Sequence, residues 1–234
     1  FRSAPRTRIA DLRLLAPAEA AQLDAWNAGA ADWPVLPDLS EAIAAQAALR
    51  SDEPALLCGD AELSHGELHL RANRLAHRLR RLGVGPDTLV GVALERSIDL
   101  VVCLLAVLRA GGAYVPLDPD YPPERLRLMT ADSGLALLLT HGGLRHRLPS
   151  AEDTLTLEVD QLDLSGEACS VPGVEAHPGN LAYLVYTSGS TGRPKSVAVA
   201  RGPLAMHCQA IGARYGMSPR DRELIFMSFS FDGA

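Results

Sequence analysis

Between His65 and Leu82 apolar residues recur every three or four positions: Leu68, Ala72, Leu75, Leu79 and Leu82. That period places them on one face of a helix. Ser64 stands before it and Glu67 three residues later, a capping-box pattern, and Gly83 marks its end. The pattern then alternates. Thr88–Leu94 reads as a buried strand, and a helix capped by Ser97 runs to Ala110 and stops at Gly111-Gly112. Tyr114–Leu117 is a short strand; Pro122-Pro123 opens a helix to Asp132, with Gly134 beyond it; Leu135–Thr140 is again a strand. Further strands are predicted at Leu155–Val159, Leu181–Tyr186, Val197–Val199 and Leu224–Phe229, with a helix over Pro203–Tyr215. Two short strands around Gly59-Asp60 precede all of these as a hairpin. Strand and helix in alternation predict an α/β fold with largely parallel pairing. Residues 1–50 read differently: an alanine-rich helix from Pro17 to Asn27, a turn at Pro34 and Pro37, and a helix capped by Asp38 or Ser40 ending near Leu49.

The chain has 234 residues, with 47% hydrophobic and 21% charged, which fits an ordinary globular protein with room for a sizeable core. Its net charge of −6 disfavours wholesale binding to nucleic acid or an anionic membrane. The longest apolar candidate, Leu100–Leu108, falls short of the roughly 18 residues a membrane span needs, and no secretory signal is visible. A cytoplasmic setting is expected. The chain begins at Phe1 rather than Met, which points to a segment of a longer polypeptide. Cys58, Cys103, Cys169 and Cys208 lie far apart, form no C-x-x-C pair, and read as reduced buried thiols.

One segment carries chemistry. Residues 187–195 read Thr-Ser-Gly-Ser-Thr-Gly-Arg-Pro-Lys. Gly189 and Gly192 let the backbone turn and bring its N–H groups close to a ligand. Thr187, Ser188, Ser190 and Thr191 add hydroxyl donors, and Arg193 and Lys195 add positive charge. Consecutive N–H groups beside such cations make a polyphosphate site. Lys195 is the sole lysine beside 21 arginines, a point charge on a flexible stem where every other cation is a planar fork. The P-loop pattern is excluded, because Arg-Pro separates Gly192 from the lysine and a strand follows rather than a helix. A solvated Ser/Gly loop explains flexibility but not the Arg-Pro-Lys end between apolar strands.

Tyr186-Thr-Ser-Gly-Ser-Thr-Gly-Arg-Pro-Lys195 resembles the signature loop of adenylate-forming enzymes, in the variant of nonribosomal peptide synthetase adenylation domains. Leu63-Ser-His-Gly-Glu-Leu68, Leu108-Arg-Ala-Gly-Gly-Ala-Tyr-Val-Pro-Leu-Asp118 and Phe229-Ser-Phe-Asp232 are similar to further motifs of that family, and Trp26-Asn27 looks like the linker after a condensation domain. The resemblance covers essentially the whole chain. It implies the N-terminal portion of the large subdomain of such an enzyme: mixed, mostly parallel sheets flanked by helices, with residues 1–50 a linker and 51–234 the start of the adenylation domain. It implies attack of an amino-acid carboxylate on the α-phosphorus of ATP with Mg2+, release of pyrophosphate, and transfer to the phosphopantetheine thiol of a carrier-protein domain. Carrier and condensation domains of the same polypeptide are the implied partners. Thr187, Ser188, Gly189, Ser190, Thr191, Gly192 and Lys195 would hold the β- and γ-phosphates. Asp232 would take the substrate α-ammonium, although from the residues alone a strand-end turn is the preferred reading. Gly233 leaves space in the side-chain pocket, which resembles domains loading lysine- or ornithine-type residues in siderophore assembly. The family's catalytic lysine lies downstream, so the 234 residues alone are expected to catalyse nothing. An acyl- or aryl-CoA ligase and a non-catalytic nucleotide-binding module are the alternatives.

Three positions depart from the family pattern. Ser196 adds a Cβ where glycine and positive φ are usual, Arg201 replaces a histidine, and Ala234 replaces a serine or other small residue. His65 and His69 mimic zinc-ligand spacing with the glutamate misplaced, so His65, His69, Asn73 and His77 read as a solvated helix face. The arginines from Arg71 to Arg81 read as a solvated or linker-facing surface.

Overall fold

A computed structural model describes residues 8, 14–28, 38–149, 154–188 and 194–231. Two compact units divide the chain, Phe1–Pro34 and Val35–Ala234. In the first, helix α1 (Pro17–Asn27) opens with the Glu19 carboxylate accepting from the Ala16 N–H at 2.7 Å. The turn expected at Pro34 and Pro37 lies outside the described residues.

The second unit starts with α2 (Leu39–Leu49), capped by Asp38 through the Ser40 N–H. A hairpin of β1 (Pro54–Cys58) and β2 (Ala61–Ser64) follows, its antiparallel strands turning at Gly59 with φ 59°. Helix α3 (His65–Arg81) carries the predicted capping box: the Glu67 N–H donates to Ser64 Oγ, and the Ser64 N–H donates to Glu67. Leu68, Ala72, Leu75 and Leu79 are buried, each leucine contributing about 2 kcal/mol of burial. Leu82 is not; it lies past the helix end and is exposed.

The main sheet contains β3 (Leu89–Ala93), β4 (Ala113–Pro116), β5 (Leu137–Thr140), β6 (Leu155–Glu158), β7 (Leu181–Thr187) and β8 (Lys195–Ala200). Their order is β6-β5-β3-β4-β7-β8, all parallel except the β7–β8 hairpin. Helix α4 (Ile98–Arg109) joins β3 to β4, α5 (Pro123–Ser133) leads towards β5, and α6 (Arg201–Tyr215) follows β8. Strand alternation sorts the core into two faces. Val90, Val92, Leu137 and Leu139 pack with α3 and α4; Ala93, Val115, Leu117, Leu138 and Tyr186 pack with Leu126 and Met129 of α5. Gly91 faces the second side in close contact: a Cβ there would come within 2.7 Å of Leu135 Cδ1 and 2.8 Å of Leu138 Cδ1, so both leucine side chains would have to shift.

Three expectations are corrected. Leu224–Phe229 is not a strand. It pairs with no described strand, Leu224 and Phe226 are exposed, and an apolar run without a hydrogen-bonding neighbour has no ladder to join. The helix face bearing His69 and Asn73 is not solvated: Asn73 is fully buried, its Nδ2 donating to the Cys169 carbonyl at 2.6 Å. Of the four free cysteines only Cys103 is buried, Cys58 and Cys208 being exposed.

Candidate functional site

Strand β3 hands over to α4 on one face of the sheet, and β4, its neighbour, hands over to α5 on the other. Where adjacent parallel strands send their connections to opposite faces, a crevice opens at their carboxyl ends, the usual ligand position in open α/β sheets. Three things converge there.

The first is the base of the Gly-rich loop. Strands β7 and β8 pair from Leu181↔Ala200 up to Thr187↔Lys195, and Thr187 Oγ1 donates to the Lys195 carbonyl at 3.4 Å. The loop therefore leaves the sheet at the carboxyl end of β7, beside β4. Lys195 and Ser188 are exposed and Thr187 is half-buried. Gly189, Ser190, Thr191 and Gly192 lie outside the described residues, as do Asp232 and Gly233.

The second is the end of β4. Tyr114 pairs and stacks with Tyr183, ring centroids 5.4 Å apart. Burial, and then the neighbouring Tyr183, push the Tyr114 hydroxyl well above the ordinary phenol value. Thr187 is the last residue of β7 and Asp118 lies two residues past the end of β4, so both stand at the carboxyl ends of adjacent parallel strands.

The third is the segment that leads to Asp232. Ser228 Oγ donates to Asp118 Oδ2 at 2.6 Å, and Arg96, just past β3, donates from Nη1 to the Phe226 carbonyl at 3.1 Å. Phe229 packs against the core on the α3–α4 face. Phe226 and Ser228, shortly before Asp232 in the chain, are thus held by Arg96 and Asp118 in the connections just past β3 and β4. Sequence reasoning quoted Asp118 inside a motif but gave it no role, and it missed Arg96; both act through partners more than 100 residues away, which leave no local pattern.

Two further anchors orient the hairpin. Asp87 adopts φ 61°, the left-handed region, and its carboxylate accepts from the Leu181 N–H at 2.8 Å and Asn180 Nδ2 at 2.9 Å, fixing the start of β7. Tyr186 donates its hydroxyl to Asp132 Oδ2 at 2.7 Å, tying β7 to α5. Burial, then that hydrogen bond, hold the Tyr186 hydroxyl well above the usual phenol value.

The departures from the family pattern take definite places. Ser196 pairs with Tyr186 in the regular ladder and does not occupy the positive-φ region; Asp87 is the non-glycine residue found there among the described residues. The backbone strain expected at Ser196 is therefore absent, because strand geometry accepts any Cβ. Arg201 is buried and hydrogen-bonded to Asp38. No group of three or more metal-ligating side chains gathers among the described residues, and no described helix is long and apolar enough to cross a membrane.

Residues 43–234 match the family model of the AMP-binding enzyme. The chain is 41% identical to chondramide synthase cmdD of Chondromyces crocatus over 98% of its own length and 6% of that protein's. It is 39% identical to tyrocidine synthase 3 of Brevibacillus parabrevis over 98% of its length and 4% of that protein's. It thus spans a small fraction of these relatives. Among solved structures, the nonribosomal peptide synthetase FmoA3 in its AMPPNP-bound form superposes with a TM-score of 0.81 at 30% identity, covering 88% of this chain and 22% of that one. With the signature loop, the mostly parallel sheet and the family match agreeing over most of its length, this chain belongs to the AMP-binding enzyme family.

Proposed function

We propose that this chain carries the nucleotide- and substrate-binding part of an ATP-dependent amino-acid-activating enzyme of nonribosomal peptide synthesis. The observation that carries the reading is the convergence at the crevice: the base of the Gly-rich loop at the end of β7, and the segment preceding Asp232 pinned by Asp118 and Arg96 one and two strands away. The relatives named as peptide synthases, and the likeness to a structure holding AMPPNP, support it.

In this reading Thr187, Ser188, Gly189, Ser190, Thr191, Gly192 and Lys195 surround the β- and γ-phosphates of MgATP, the leaving group. Donors fixed in place before the reaction neutralise charge that grows on the pyrophosphate as the amino-acid carboxylate attacks the α-phosphorus. Asp232 pairs with the α-ammonium, whose desolvation would otherwise be uncompensated. Gly233 leaves room for a long side chain, of lysine or ornithine type. The aminoacyl-adenylate then passes to a carrier-domain phosphopantetheine thiol. The 234 residues by themselves catalyse no turnover.

ATP–pyrophosphate exchange by the full-length polypeptide, run over the proteinogenic amino acids plus ornithine and hydroxyornithine, tests this. Exchange dependent on one basic amino acid is expected. Exchange or hydroxamate formation with carboxylic acids lacking an α-amine would instead mark an acyl-CoA ligase and remove the role given to Asp232.

A further inference from the structure

The β7–β8 hairpin is gripped at both ends. At one end, where the Gly-rich loop leaves, Tyr186 ties β7 to Asp132 of α5. The other end meets Arg201, which follows β8 directly, begins α6 and is only 4% exposed. Its Nη1 donates to Asp38 Oδ2 at 2.9 Å, and its Nη2 donates to the carbonyls of Leu108 at 2.7 Å and Gly112 at 2.9 Å. The Arg201 and Gly202 N–H groups donate to Asn180 and Pro178. Leu108 lies in the last turn of α4, and its carbonyl already accepts from the Gly111 N–H at 3.1 Å; the guanidinium adds a second donor there and sets positive charge at the negative end of the helix dipole. Burial works against ionisation of Asp38, but hydrogen bonds from Ser40 and Arg201 outweigh it and hold the carboxyl below its ordinary value. One planar fork thus joins the N-cap of α2, the end of α4 and the start of α6. Lysine, a point charge, cannot span these three acceptors.

The hairpin needs such an anchor. Among the described residues, β8 pairs only with β7, and β7 meets β4 through the single pair Tyr114↔Tyr183. With so few ladder bonds to the rest of the sheet, its direction depends on side-chain anchors: Asp87 at the start of β7, Tyr186 near the loop, and Arg201 at the end of β8. We infer that Arg201, together with Asp38, is a positioning residue that aims the Gly-rich loop at the carboxyl ends of β3 and β4. The inference rests on the reading of that loop as the triphosphate site.

Pyrophosphate exchange by the full-length polypeptide, with Arg201→His and Asp38→Asn, tests it. Asn keeps the cap on α2, so the second variant carries the test if the first does not fold. Both variants are expected to raise the KM for ATP by about five- to tenfold at pH 8 while the KM for the amino acid stays within about twofold, as a displaced loop costs binding of the phosphates alone. At pH 6 the Arg201→His value should return towards the parent's, because imidazolium restores a charge facing Asp38; Asp38→Asn should show no such return. An unchanged KM for ATP in a folded variant, or both KM values rising together, overturns the positioning role. If the parent exchanges no pyrophosphate, the reading of the loop fails. Amide hydrogen exchange over residues 195–200 then decides the anchor by itself: acceleration in Asp38→Asn supports it and an unchanged rate sinks it.

Discussion

Asn73→Leu should destabilise the domain out of proportion to its small change in volume. Asn73 is fully buried on α3, where its Nδ2 donates to the Cys169 carbonyl at 2.6 Å and its Oδ1 accepts from Arg109 Nη1 at 2.7 Å. Arg109 is itself 3% exposed and has no carboxylate partner among the described residues. Burial pushes its guanidinium down to about 10, still cationic at neutral pH. Its remaining contacts are the His69 carbonyl at 2.9 Å and His69 Nδ1 at 3.2 Å. The substitution removes one neutral and one charge-assisted hydrogen bond, worth about 1 and about 2 kcal/mol. The added apolar surface of leucine returns about 1 kcal/mol. A net loss of about 2 kcal/mol lowers Tm by roughly 4–8 °C in a domain of this size. Thermal unfolding followed by circular dichroism measures it. A shift below about 2 °C would mean that the buried cation does not depend on Asn73.

Other outcomes follow from the same geometry. Burial, then the charge of Arg109, hold the His69 imidazole below its ordinary value of 6.5. The folded state therefore binds fewer protons there than the unfolded one, so the stability tied to His69 is present above 6.5 and lost as pH falls through the lowered folded value. Arg109→Met removes one of the two causes, and the decline of Tm on acidification below about 6.5 should become shallower than in the parent; an equally steep decline would separate Arg109 from His69. At Asp87, both Ala and Gly variants lose the bonds to Leu181 and Asn180, but Ala alone retains the cost of a side chain at φ 61°. Asp87→Ala should be the less stable by about 1 kcal/mol, and equal Tm values would contradict strain at that position.

The legible parts of the fold were those written locally. The capping box at Ser64 and Glu67, the leucine period of α3 and the short apolar strands β3 and β5 all follow from neighbours within a few residues. What escaped was tertiary. Asn73 sits at a helical spacing that reads as solvent-facing, yet its partners lie 36 and 96 residues away. Leu224–Phe229 reads as a strand because its residues are apolar, but hydrophobicity states a demand for burial and says nothing about which backbone will pair. The Gly-rich loop was visible because its chemistry is contiguous. The anchors that place it, Asp87 and Arg201, were not, since each acts at a distance; Arg201 entered only as a departure from a pattern, whereas the structure makes it the hub of three helices.

If the residues between Thr187 and Lys195 hold the β- and γ-phosphates, ATP and AMP must respond differently to Lys195→Ala in the full-length polypeptide. Titration calorimetry should show ATP binding weakened about tenfold, or about 1.4 kcal/mol, with AMP binding within about twofold of the parent's. Equal weakening of both nucleotides, or of neither, would place the phosphates elsewhere.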